Sequence, residues 1–186
     1  MKYMFYGCEN IRKINLLSFN TRNCINMSHM FEKCKNIEHL DLSSFRIDII
    51  IDMDNMLTDC SKINENILEK VYFKQLQQLD LSDNKISDIK VLEKVDFKQL
   101  QQLDLGGDVF YHNNISDIKV LEKVDFKQLQ QLNLSNNKIS DIEVLEKVDF
   151  KQLQQLDLNY NQISEKNNSS VISYLKAKIP KLFLVI

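Results

Sequence analysis

Three sets of residues in this chain have side chains capable of chemistry, and each recurs at a regular interval. Cys8, Cys34 and Cys60 stand 26 residues apart, with Cys24 and His29 elsewhere in the same third of the chain. Thiolates and imidazole are zinc ligands, and paired thiols make disulfides. A zinc site built from one loop needs close pairs of the CxxC kind, and none occurs here. Free cysteine is also a small, well-buried apolar residue, so the spacing favours a packing ladder over a metal site or a disulfide. No metal and no cofactor is expected.

The second set is acidic. Asp41, Asp80, Asp104 and Asp157, with Asn15 and Asn133 at the same position, form a column flanked by apolar residues. Stacked carboxylates repel one another and attract a cation or a basic partner. A solvated acid between two buried leucines is also an ordinary way to keep a sheet face wet, and surface charge alone says little about specific binding. The solvated reading is preferred. Beside this column runs an equally repetitive one, Gln78, Gln102, Gln131 and Gln155. The histidines, His29, His39 and His112, fall in different units. No serine sits in a nucleophile elbow and no glycine-rich phosphate loop exists, so the chain is not expected to be an enzyme.

The third feature is a break in a repeated text. "LEKVDFKQLQQLDL" at 92 to 105 returns almost verbatim at 121 to 134 and at 145 to 158. Between the first two copies, "LDLGGDVFYHNNIS" carries five residues more than "LDLSDNKIS" and "LNLSNNKIS". Gly106 and Gly107 are expected to supply backbone freedom for the exit, and Phe110, Tyr111 and His112 have no template position inside. Either they fold down onto a neighbouring unit as a neutral insertion, or they form an aromatic anchor for a partner. On a surface that otherwise repeats the same Gln and Asp, selectivity must come from the place where the text changes.

The elements that position these residues follow from the spacing. Leu76, Leu100, Leu129 and Leu153 open equivalent "LQQL" steps 24, 29 and 24 residues apart. Each unit reads LxxLxLxxNxIxxIxxLxxxxF, as in Leu76, Leu79, Leu81, Asn84, Ile86, Ile89, Leu92 and Phe97. Leucines alternating with polar residues predict a short strand with one buried face. Asn84, Asn113, Asn137 and Asn161 recur where a side chain with donor and acceptor can satisfy turn backbone groups. "ISDIKVLEKV" then places Ile89, Leu92 and Val95 on one helical face, with Ser87 as N-cap and Ser140 to Glu143 as a capping box. No unit can bury its own apolar stripe, so the units must stack. Strands are predicted near 14–16, 40–42, 79–81, 103–105, 132–134, 156–158 and 182–184, and a longer helix stopped by Pro180 precedes the last. The segment Met53 to Phe73 is the expected seam, the least regular part, without a clear strand.

These units resemble the leucine-rich repeat, whose length of roughly 20 to 29 residues they share. The first third follows another template. "MFYGCENIRKINLLSFN" (4 to 20), "MFEKCKNIEHLDLSSFR" (30 to 46) and "MLTDCSKI" (56 to 63) resemble BspA-like leucine-rich repeats. Residues 67–186 resemble phosphatase-regulator and internalin-like repeats. The resemblance implies an α/β fold: a leucine-rich-repeat solenoid with parallel strands on the concave face and short helices on the convex face. It is expected to be one solenoid over 1–186, with BspA-like units in 1–63 and regulator-like units in 64–186.

The chain is 44% hydrophobic with a formal net charge of -2, which fits a globular protein and leaves no basic stripe for nucleic acid. No apolar run is long enough for a secretion signal or a membrane span. The expected role is a non-catalytic protein-binding scaffold in the cytoplasm, using the concave face and the rim loop. The binding residues would be Phe110, Tyr111, His112, Gln78, Asp80, Gln102, Asp104, Gln131, Asn133, Gln155 and Asp157. The alternative is a surface adhesion protein of the BspA-like or internalin-like kind, or a fragment of one, and sequons at Asn26, Asn114, Asn167 and Asn168 would matter only after export. The chain ends on "LFLVI", where Phe183 and Val185 take positions that hold polar residues in earlier strands. An apolar edge strand predicts self-association there, or a longer chain.

Overall fold

The computed structural model describes residues 1–42, 45, 55–62, 76–108, 110 and 112–184. Among the described residues are seven short strands: β1 (Lys13–Ile14), β2 (His39–Leu40), β3 (Gln78–Asp80), β4 (Gln102–Asp104), β5 (Gln131–Asn133), β6 (Gln155–Asp157) and β7 (Lys181–Phe183). Strands β1 and β2 pair in parallel, and β3 to β7 form a five-stranded parallel sheet in chain order. Each predicted strand is found, displaced one residue or so toward the N-terminus. The displacement is a matter of where a strand ends. Leu81, Leu105, Leu134 and Leu158 follow the assigned strands, yet their N–H groups still donate to Asp104, Asn133, Asp157 and Phe183 carbonyls on the next rung.

Parallel pairing without slippage follows from the leucine alternation, because a one-residue shift would turn Leu79, Leu103, Leu132 and Leu156 to solvent. All four are buried. They meet Leu81, Leu105, Leu134 and Leu158 from the strand ends and Ile89, Ile118 and Ile142 from the convex side in one continuous core. A spine of phenylalanines closes that core from behind: Phe97, Phe126 and Phe150 stack with centroids 6.3 Å apart at each step. In the first third, Phe5 stacks on Phe31 at 5.2 Å and Phe19 on Phe45 at 6.5 Å.

The asparagine ladder exists as the template required. Asn113 is buried; its Oδ1 accepts from the N–H of Asn84 and Ile86, and its Nδ2 donates to the carbonyls of Leu81, Leu105 and Gly106. Asn137 and Asn161 repeat the pattern one and two rungs on, to Leu105 and Leu134. The cysteine ladder is the same device in thiol form. Cys34 Sγ donates to the Phe5 carbonyl at 3.1 Å and Cys60 Sγ to the Phe31 carbonyl at 3.0 Å, in each case three residues before the previous rung's cysteine. Asn113 reaches Leu81, three residues before Asn84, in the same way. The two ladders join directly: the Cys60 N–H donates to Asn84 Oδ1 at 3.0 Å.

The convex side departs from expectation. In place of capped α-helical turns the described residues form three 3₁₀ helices, Lys90–Lys94, Lys119–Lys123 and Glu143–Glu146, with Ile89, Ile118 and Ile142 as N-cap residues and no side-chain cap at any of them. Neither Ser87 nor a Ser140–Glu143 box caps a helix. Asp88, Asp117 and Asp141 instead accept from the N–H two residues on, at Lys90, Lys119 and Glu143. Each helix is only four or five residues long, one tight turn of i→i+3 bonding, and an aspartate-centred turn starts it. Among the described residues only α1 (Glu165–Lys178) is an α-helix, and it ends at Ile179, directly before Pro180, as predicted. Most of the expected seam, Met53 to Phe73, lies outside the described residues; of it, Asn55 to Lys62 forms a turn that hands one ladder to the other.

Candidate interaction surface

Register places the repeated polar residues in two columns on the open face of the sheet. Gln78, Gln102, Gln131 and Gln155 are partners in successive strand pairs, and so are Asp80, Asp104, Asn133 and Asp157. The last pair replaces both columns: Gln155 meets Lys181, and Asp157 meets Phe183.

The acids have local work as well as charge. Oδ1 of Asp80 accepts from the Ser82 N–H, of Asp104 from Gly106, of Asn133 from Ser135 and of Asp157 from Asn159. Each closes the turn that leaves its strand. This accounts for Asp and Asn alternating freely in the column, since both present an acceptor oxygen. Asp104 carries a further bond, Asn133 Nδ2 to its Oδ2 at 3.0 Å. Its carboxyl is pushed up to about 6, first by burial and then by the charge of Asp80. Asp83, on the rim beyond β3, is also raised, again by burial first, with Asp108, Asp80 and Asp59 adding repulsion.

A cavity of about 230 Å³ opens on this face, lined by Asn55, Gln78, Asp80, Gln102, Asp104 and Gln131 over a floor of Leu79 and Leu103. It gathers five of the expected binding residues. Asn133, Gln155 and Asp157 continue the columns but do not line it. Asn55 belongs to it without any sequence signal, because the repeat pattern is broken in that stretch.

The five-residue insertion leaves at the rim, and the core resumes in phase with Asn113 and Ile115 buried. Its first part is tied to both neighbours: Asp108 N–H donates to Asp83 Oδ1, and Asn136 Nδ2 donates to the Gly107 carbonyl at 2.8 Å. Phe110 N–H closes on Asp108 Oδ1. Thus pinned, the loop presents Phe110 at 84% exposure, with His112 exposed beside it. Tyr111 lies outside the described residues. Gly106 is there for space and not for backbone freedom, since its φ is not left-handed and a Cβ would come within 2.7 Å of the Asn133 side chain.

One rim residue escaped the sequence reading. Tyr160 is 68% exposed with φ of 56°, at the position that Asp83 and Asn136 occupy with φ of 60° and 53°. Asp and Asn tolerate that region; a bulky aromatic is uncommon there. The histidines do not converge. His29 stacks on Tyr3 at 4.5 Å and bonds Glu32, His39 is exposed on β2, and His112 is on the rim. Among the described residues, no group of three or more His, Cys, Asp or Glu could hold a metal ion.

Parallel strands stacked in chain order over an Asn/Cys ladder define a leucine-rich-repeat solenoid. The family model described as "Leucine Rich repeats (2 copies)" matches residues 74–123, 109–147 and 127–170, and that described as "Mycoplasma protein of unknown function, DUF285" matches residues 1–88. The chain belongs to the leucine-rich repeat family. Among solved structures it is similar to "Plant peptide hormone receptor RGFR1 in complex with RGF2", at 18% identity and a TM-score of 0.37, covering 69% of this chain and 21% of that one. This chain thus spans about a fifth of that receptor chain. No curated protein matches it.

Proposed function

We propose that the chain is a non-enzymatic scaffold that binds a protein partner across the concave face of β3 to β6 and the rim loop after β4. The observation that carries this reading is the loop. It is anchored by hydrogen bonds to the rungs on both sides, yet holds Phe110 almost fully in water. A neutral insertion would lose free energy by exposing an aromatic ring that could fold down. Exposed aromatics on a pinned frame are what binding hot spots favour. Phe110, Tyr111 and His112 are the anchor of this reading, with Gln78, Asp80, Gln102, Asp104, Gln131, Asn133, Gln155 and Asp157 as the surface beside it.

Removing Gly107 to Tyr111 restores the 24-residue spacing, and Phe110→Ser removes the ring alone. Both variants should fold, and a partner identified with the parent chain should bind either by more than about 2 kcal/mol less tightly. Undiminished binding to both would refute the rim as the site.

The Cys60 to Asn84 bond supports one continuous solenoid over 1–186, with the BspA-like units of 1–63 running into the regulator-like units of 64–186. The expected location is the cytoplasm. The match of residues 1–88 to a Mycoplasma family keeps the second reading, a surface adhesion protein, in play. No helix among the described residues is long and apolar enough to cross a membrane. Fractionating source cells separates the two readings: recovery of the protein only at the surface would refute the cytoplasmic one.

A further inference from the structure

We propose that the concave cavity receives one lysine or arginine side chain of the docked partner, its cation held between Asp80 and Asp104 and its N–H groups by the amides of Gln78, Gln102 and Gln131. This rests on the interaction reading above and supplies the chemistry of the partner which that reading leaves open.

Charge complementarity carries the argument. Elsewhere in the repeats four aspartates pair with a lysine of the chain itself. Lys90 pairs with Asp88, Lys98 with Asp96, Lys127 with Asp125 and Lys151 with Asp149, always two residues on, at 3.3 Å or less. Asp80 and Asp104 have no lysine two residues on, and among the described residues no basic side chain lines the cavity. Asp80 and Asp104 stand opposite each other across β3 and β4, so their carboxylates share one wall at a strand spacing of about 4.8 Å. Two like charges that close, partly desolvated, repel, and a cation placed between them relieves both.

The hydrogen-bonding capacity fits the same guest. Among the described residues, Asp80 bonds through Oδ1 alone, to the Ser82 N–H and hydroxyl, which leaves Oδ2 to accept. The side-chain amides of Gln78, Gln102 and Gln131 make no hydrogen bond to a described residue, and each Oε1 can accept from an ammonium or guanidinium. The cavity, about 230 Å³, equals on the order of seven or eight waters at roughly 30 Å³ each, room for the end of one long side chain and its residual hydration. Toward β5 the column changes to Asn133, so the paired charge occurs only at β3 and β4 within the five-stranded sheet.

The test uses the full chain, ¹⁵N-labelled, titrated with N-acetyl-arginine amide and in parallel with N-acetyl-citrulline amide, which has the same length and no charge. The arginine probe should shift the side-chain amide signals of Gln78, Gln102 and Gln131 while citrulline leaves them in place. In Asp80→Asn/Asp104→Asn the response should weaken by at least about tenfold, whereas Asp157→Asn, in the same column but outside the cavity, should respond like the parent. Asparagine already serves in this column at Asn133, where it closes the same turn, so the substitutions keep the fold. The arginine and citrulline comparison needs no variant. Equal response to citrulline, shifts spread over all surface acids, a calcium titration that moves the same signals when arginine does not, or no loss in the double variant would each overturn the assignment. A partner that depends on the rim loop but binds the double variant as tightly as the parent refutes the cavity alone and leaves the interaction reading standing.

Discussion

Replacing Asp104 by asparagine should make the folded protein more stable at neutral pH and less stable near pH 4. Asp104 is pushed from the ordinary 3.8 up to about 6 in the folded state, by burial and by Asp80. Between those values the folded protein holds a proton that the unfolded chain has released, so stability falls as pH rises through the window and the deficit is complete above it. At about 1.36 kcal/mol for each pH unit of the window, the deficit at pH 7 is about 3 kcal/mol. Asparagine does not titrate and keeps the oxygen that accepts from the Gly106 N–H. It loses the bond from Asn133 Nδ2, because two amide donors would then face each other, at a cost of about 1 kcal/mol. The variant should therefore gain about 2 kcal/mol at pH 7.5 and lose about 0.5 kcal/mol at pH 4, where the unfolded carboxyl has begun to ionise. Urea unfolding of parent and variant at the two pH values measures this, with the difference between them cancelling titrations common to both. A difference that is the same at both pH values within about 0.5 kcal/mol, or that moves the other way, would refute the reasoning.

Leu134, fully buried at the end of β5, should cost about 2 to 5 kcal/mol when cut to alanine, read by the same urea midpoints; a loss under about 1 kcal/mol would contradict its place in the core. Gly106→Ala should cost about 1 to 3 kcal/mol, because the new methyl meets an Asn133 side chain already bonded to Asp104 and Ser135. Burial pushes the Cys34 thiol up to about 11 and the Cys60 thiol further, so iodoacetamide should label Cys8 and Cys24 in the native protein and reach the other two only on unfolding, as peptide mass mapping would show. Strand β7 forms one edge of the five-stranded sheet with Phe183 43% exposed, and self-association through it should appear as concentration-dependent sedimentation that Phe183→Lys abolishes.

What could be read from the chain was what one rung decides alone or what adjacent rungs decide by repeating. Alternation in "QLDL" and "QLNL" is a property of four neighbouring residues, and it located β3 to β6. The 24- and 26-residue periods placed like residues side by side, so the asparagine and cysteine columns were visible before their bonds were. The equivalence of the two ladders was not visible, because it lies in a thiol and an amide reaching the same carbonyl on the previous rung. Asp88, and not Ser87, starts the convex turn for a similar reason: both residues suit a turn, and the 3₁₀ backbone chooses between them by setting the Lys90 N–H beside Asp88 Oδ1.

At the candidate site the division is sharper. The sequence by itself determined that Gln and Asp would stand in columns, that the text breaks after β4, and that Phe110 has no place in the core. Tertiary structure alone decided that Asp80 and Asp104 share a cavity with Asn55, that each acid also closes its own turn, and that Gly106 is required by the side chain of Asn133 on the next rung. The first and last of those facts depend on contacts between residues about 24 to 29 positions apart, and the strength of such contacts is set by burial and by the distance between rungs. Neither quantity is carried by any residue until the rungs have stacked.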